Sequence, residues 1–147
     1  MPKVITLSKT FLKGHPRAGQ PTGFREAFEN GTKKHTIRIG NRWKVGDIAS
    51  IREWIGRPYH QPGQETIKDV EIVKLWDFEH RPYTVEQLES MTGPWSYKPY
   101  LIDGCRASAG DEYNIALNDG LDYLDFQNWF NKPFKGQIIC WDNSVEY

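Results

Sequence analysis

The chain has 147 residues, enough for one domain that buries roughly two thirds of the surface its unfolded chain exposes. Its 19 Lys/Arg balance 19 Asp/Glu, which argues against a broad polyanion-binding surface held by counterion release. With no long apolar run and no secretory core after Met1, a membrane span is excluded and a cytoplasmic location is expected. The charge is unevenly placed. Residues 1–57 carry twelve Lys/Arg against four Asp/Glu, whereas residues 58–147 carry seven against fifteen. That asymmetry predicts either a basic face built by the first third or pairing between the two parts of the fold.

In chain order, Val4–Leu7 is a short β-branched run and predicts the first strand. The stretch Thr10–Thr22, with Gly14, Pro16, Gly19 and Pro21, predicts a loop. Its Lys13, His15 and Arg17 fit a basic flap over a site, or equally a disordered surface loop. Thr22 can cap a helix from Gly23 to Asn30, with Phe24, Ala27 and Phe28 inward. Gly31 can end that helix in the left-handed conformation. From Lys34 to Ile39 the pattern predicts a strand with His35, Ile37 and Ile39 on one face and Thr36 and Arg38 on the other.

Trp43 and Val45 lead to a Gly46-Asp47 turn, and Ile48–Ile55 predicts the next strand. A loop follows from Gly56 to Gln64. A longer strand is expected over Ile67–Trp76, with Val70, Ile72 and Trp76 on a period of two. Thr84 can cap a short helix to Met91, with Val85, Leu88 and Met91 inward. Thr92–Pro99 predicts a loop, and Tyr100–Ile102 is too short to classify. Gly110–Asn118 and Tyr123–Phe130 predict helices, and Lys135–Trp141 a final strand. Five or six strands, three or four short helices and no βαβ rhythm predict a single α+β domain built on a small barrel.

Cys105 and Cys140 lack any ligand spacing and read as buried thiols. Four scattered histidines offer no metal pattern, so neither a structural zinc nor a cofactor is expected. Trp76, Trp129 and Trp141 lie in apolar surroundings and read as core, whereas Glu112, Asp122 and Asp125 read as a solvated acidic face. Trp54 and Tyr59 flank Gly56-Arg57-Pro58 and could stack a base, although a tryptophan on a strand, as Trp54 is, more often belongs to the core. Arg57 is a candidate for phosphate or base-edge contact. Lys33, Thr36 and Arg38 offer an amine, a hydroxyl and a guanidinium at one strand entry, a set able to grip an anionic or carbonyl-bearing ligand. Lys34 rather than Lys33 could be the amine that points inward.

The run Gly31-Thr32-Lys33-Lys34-His35-Thr36-Ile37-Arg38, followed by Trp43-Lys44-Val45-Gly46-Asp47, resembles the ASCH domain family of the PUA-like superfamily. Further resemblance lies in residues 53–59, in Ile115-Ala116-Leu117-Asn118-Asp119-Gly120-Leu121 and in the closing Gly136-Gln137-Ile138-Ile139-Cys140-Trp141. The resemblance implies a PUA-like β-barrel with a cleft beside the helix-to-strand junction, and binding of RNA, nucleotides or modified nucleosides. Some family members are amidohydrolases that deacetylate N4-acetylcytidine with a lysine, a threonine and a glutamate. Residue by residue, these correspond to Lys33, Thr36 and Asp119, with Arg38 binding or orienting the substrate. Asp119-Gly120 also has a purely structural reading, as a helix C-terminus and its turn.

Overall fold

The computed structural model describes residues 2–93 and 97–147. Among them are eight strands and four helices, in the order β1 (Lys3–Thr6), α1 (Phe24–Glu29), β2 (His35–Ile39), β3 (Ile48–Trp54), β4 (Gln64–Glu71), β5 (Lys74–His80), α2 (Val85–Glu89), β6 (Tyr100–Ile102), β7 (Cys105–Arg106), α3 (Ala109–Asn118), α4 (Tyr123–Trp129) and β8 (Phe134–Cys140). The fold is mixed α+β. No described helix is long and apolar enough to cross a membrane.

The strands make two sheets, β1-β3-β4 and β2-β8-β5-β6-β7, rather than a closed barrel. In the first, β1 runs parallel to β3 and β4 antiparallel to it. In the second, β8 is central between β2 and β5, antiparallel to both. The strands and helices share one core, in which Ile51, Ile72, Phe78, Phe126 and Ile138 are fully buried.

The strand count exceeds the expected five or six because one expected strand is two and because Cys105–Arg106 adds a two-residue strand, β7, against β6. Residues 67–76 divide at Ile72-Val73. The Ile72 N–H donates to Asp47 O at 2.8 Å, and the Val73 N–H donates to Cys140 O at 2.9 Å, so the chain leaves β3 for β8 there. The period of two survives the crossing because both sheets face the same core. Tyr100–Ile102 gains its strand character from pairing with β5, a long-range contact that three residues cannot announce.

Helix α1 buries Phe24 and Phe28 as expected, but its N-cap is Gly23, at a φ of 74°. Thr22 instead donates its hydroxyl to Ser8 O at 2.6 Å, closing the base of the 10–22 loop. In α2 the Thr84–Gln87 capping box forms, yet Val85 is 70% and Leu88 46% exposed, against the expected inward face. Five residues make little more than one turn, too short for an apolar stripe to reach a partner. Trp76, Trp129 and Trp141 are partly buried against the core, whereas Trp95 lies outside the described residues.

Of the expected acidic face only Asp122 is exposed; Glu112 and Asp125 are buried. Glu112 is buried beside the Tyr123 hydroxyl, which donates to it at 3.4 Å, and burial pushes its carboxyl upward. Asp125 is buried against Arg17, whose Nη1 donates to Oδ2 at 2.5 Å. Of the two free thiols Cys140 is buried, but Cys105 is exposed at the end of the second sheet.

Pairs between the basic first third and the acidic remainder recur: Arg17–Asp125, Arg25–Glu65 and Lys33–Asp119. Part of the charge asymmetry is therefore met by pairing between the two parts of the fold. Arg25 also bonds Glu29 at 2.7 Å and Glu53 at 3.3 Å, tying α1 to the first sheet.

Candidate functional site

The site begins where α1 ends. Gly31 adopts a φ of 85°, and the N–H groups of Thr32 and Lys33 both donate to Ala27 O at 2.9 Å. The Lys34 N–H donates to Asn118 O at 2.6 Å, which fixes the entry of β2 against the end of α3. Lys33 is thereby held between two helix C-termini, and its side chain turns inward.

Lys33 is 2% exposed. Its Nζ donates to Asp119 O at 2.7 Å and to Asp119 Oδ1 at 3.3 Å, and lies 4.2 Å from the centroid of the Phe24 ring. Asp119 is the C-cap of α3, so both readings of Asp119-Gly120 hold: it is a helix terminus and part of the cluster. Gly120, at a φ of 82°, permits the approach, since a Cβ there would sit 3.3 Å from Lys33 Cβ.

His35 follows on β2, fully buried. Its Nδ1 is 3.2 Å from Asp119 Oδ1 and its Nε2 is 2.7 Å from the Tyr147 hydroxyl. Thr36 is buried, and Arg38 Nε donates to its Oγ1 at 3.3 Å while Arg38 Nη2 donates to Thr6 O at 2.7 Å. Arg38 therefore places two of its five N–H donors on neutral acceptors, with no described carboxylate in ion-pair contact.

Electrostatics follow from burial. The Lys33 amine is pushed below the ordinary lysine range by desolvation and by the Arg38 charge, with Asp119 opposing. His35 is pushed down by desolvation against the pull of Asp119, which favours the neutral ring. Burial likewise lowers Arg38, again opposed by Asp119. The cluster offers an amine that gives up its proton more readily than an exposed lysine, next to a hydroxyl and a fixed cation.

These groups line a cavity of about 560 Å³. Lys33, Thr36, Arg38 and Asp119 form its polar wall, Phe24, Trp129 and Phe130 part of its apolar wall, and Trp54 and Tyr59 also line it. The Trp54 and Tyr59 ring centroids are 5.0 Å apart, and Tyr59 is 88% exposed in a left-handed conformation, φ 64°. A bulky residue held there carries strain, a feature that gathers at ligand-contact loops.

Two sequence candidates lie elsewhere. Lys34 does not line the cavity and reaches Ser144 Oγ at 3.4 Å, so Lys33 is the inward amine. Arg57 is exposed on the 56–63 loop and is not part of the cavity lining. Gly56, Pro58 and Tyr59 of the same loop border the cavity mouth while remaining exposed.

The 10–22 loop packs over one side of the site. Lys9, Thr10 and Leu12 line the cavity, Phe11 is buried, and Phe11 stacks on His15 at 4.4 Å. His15 Nδ1 accepts from the Arg17 N–H at 3.0 Å, which leaves Nε2–H to donate to Asp125 O at 3.1 Å. His35, Phe24 and Tyr147 are the participants that sequence reading missed. A histidine within the apolar face of a predicted strand was the available signal for His35; Tyr147 had none. Comparisons of the chain with family models, with curated proteins and with solved structures find no match.

Proposed function

We propose that this chain is an ASCH-type, PUA-like domain whose cavity binds the base of a nucleotide or of a single-stranded RNA residue. The observation that carries the reading is the convergence of Lys33, Thr36, Arg38 and Asp119 with Trp54 and Tyr59 on one cavity. Its volume falls in the range of about 300–1,000 Å³ common for small-ligand sites. A base stacked at Tyr59 and Trp54 gains on the order of 1–3 kcal/mol, and Arg38 supplies donors suited to a carbonyl edge or a phosphate. A PUA-like fold is part of this proposal: the mixed α+β architecture and the cavity beside the α1–β2 junction support it.

Binding is read by quenching of Trp54 fluorescence on titration with cytidine, uridine and their monophosphates. Saturable quenching, lost in Trp54→Phe and weakened roughly tenfold in Arg38→Ala, is expected, that factor corresponding to about 1.4 kcal/mol. Absence of saturable binding to every nucleoside, nucleotide and short RNA tested rejects the reading.

A second reading is favoured by the buried Lys33 amine: an amidohydrolase of N4-acetylcytidine-type nucleosides. In that reaction neutral Lys33 takes the proton of Thr36 Oγ1, and the oxygen attacks the acyl carbon. The C–N bond then breaks, the leaving amine takes the proton, and water releases the acyl group from Thr36. Arg38, already bonded to Oγ1, steadies the developing negative charge. Mass spectrometry of N4-acetylcytidine incubated with the chain is expected to show cytidine, with turnover reduced at least a hundredfold in Lys33→Ala and Thr36→Ala. Undiminished turnover in Thr36→Ala eliminates this chemistry.

A further inference from the structure

We propose that His35 and Tyr147 are positioning residues that hold the Asp119 carboxylate in register with Lys33. The proposal rests on reading the cavity as the working site of that pair. The directions of the hydrogen bonds follow from the donor inventory. An ionised Asp119 can only accept, so His35 Nδ1 carries the proton and donates to Oδ1 at 3.2 Å. The Nε2 of a neutral ring then accepts, and the Tyr147 hydroxyl donates to it at 2.7 Å. The Tyr147 oxygen in turn accepts from Asn118 Nδ2 at 3.0 Å. Each link satisfies the next, from Asn118 through Tyr147 and His35 to Asp119, and ends at Lys33 Nζ, 3.3 Å from the same Oδ1.

Geometry gives this chain a task beyond packing. The Asp119 main chain is fixed by its place at the end of α3, but its carboxylate can still rotate about the side-chain bonds. Lys33 anchors mainly on the Asp119 carbonyl oxygen at 2.7 Å, which leaves the 3.3 Å contact too long to hold the carboxylate by itself. The imidazole approaches Oδ1 as a second donor. The His35 ring is set by Tyr147, whose own ring packs edge-on to Trp76 at 4.8 Å. With the brace lost, the carboxylate turns away and the buried amine loses its countercharge.

The test uses the full chain with 13Cε-labelled lysine, the Lys33 resonance being the one missing from Lys33→Met. Tyr147→Phe removes one oxygen and keeps the ring contact with Trp76. The Lys33 titration is expected to move to lower pH in Tyr147→Phe and in His35→Leu. His35→Asn, whose amide can supply an N–H near the Nδ1 position, is expected to restore it toward the native value. Variants that lower Tm but leave the Lys33 titration where it was overturn the proposal and leave His35 a satisfied core histidine. Should His35→Leu fail to fold, Tyr147→Phe decides alone. Cytidine titration on the same samples separates the two ideas: no binding by the native chain rejects the nucleoside reading, while the Lys33 titration still decides the positioning.

Discussion

Gly136→Ala is expected to destabilise the fold by about 3 kcal/mol, the upper end of the usual cost of overpacking. A Cβ at this position would lie 2.1 Å from Arg38 O and 2.8 Å from both Arg38 C and Phe134 Cε1. Gly136 sits in β8, opposite Ile39 of β2 on one side and Phe78 of β5 on the other. Retreat from β2 drives β8 into β5, so the backbone of Arg38 must move, and with it the guanidinium in the cavity. Urea denaturation measures the first effect and nucleotide titration the second. Gly56→Ala is the control, since a Cβ there meets only Pro62 Cδ at 3.8 Å and its stability is expected to change by less than about 0.5 kcal/mol. An unchanged urea midpoint in Gly136→Ala would show that the strand yields without cost.

The second large effect is acid destabilisation through His35. Its folded pKa lies below the ordinary imidazole value of 6.5, chiefly because the buried ring is desolvated. Between the depressed folded value and 6.5 the unfolded chain binds a proton that the folded chain refuses. Stability therefore falls as pH drops through that window, by about 1.4 kcal/mol per pH unit for one proton. His35→Asn does not titrate, and its urea-derived stability is expected to decline less steeply than that of the native chain below pH 6.5. Every other ionisable side chain is common to both proteins, so the difference reports the imidazole together with its contact to Asp119. Parallel profiles would place the charged ring in the folded state. Lys33 works in the same sense at higher pH: its lowered folded value makes its contribution rise with pH up to the ordinary lysine range.

How far the sequence foresaw this arrangement depends on how local each cause is. Helices α1, α3 and α4 and strands β1, β2, β3 and β8 lie where apolar spacing, glycine stops and β-branched runs place them. Gly31 ends α1 as its left-handed turn required. The division of residues 67–76 was not legible, because a period of two records which face is buried and not which strand is the neighbour. Glu112 and Asp125 were misread for a related reason: charge alone signals solvent, and their partners Tyr123 and Arg17 are supplied by the fold.

The same division runs through the site. By itself the sequence determined that an amine, a hydroxyl and a guanidinium lie within six residues of one another at a strand entry, since Lys33, Thr36 and Arg38 are chain neighbours. Tertiary structure alone decided that Lys33 rather than Lys34 faces inward, through the Lys34 bond to Asn118 O that sets the rotation of the strand entry. It also brought Asp119 and Tyr147, 86 and 112 residues distant from Lys33 and His35 respectively, to the same cluster. Local propensity fixes which residues share a strand, but contact between distant residues depends on how helices and sheets close over a common core, and that is set by the packing of the whole chain.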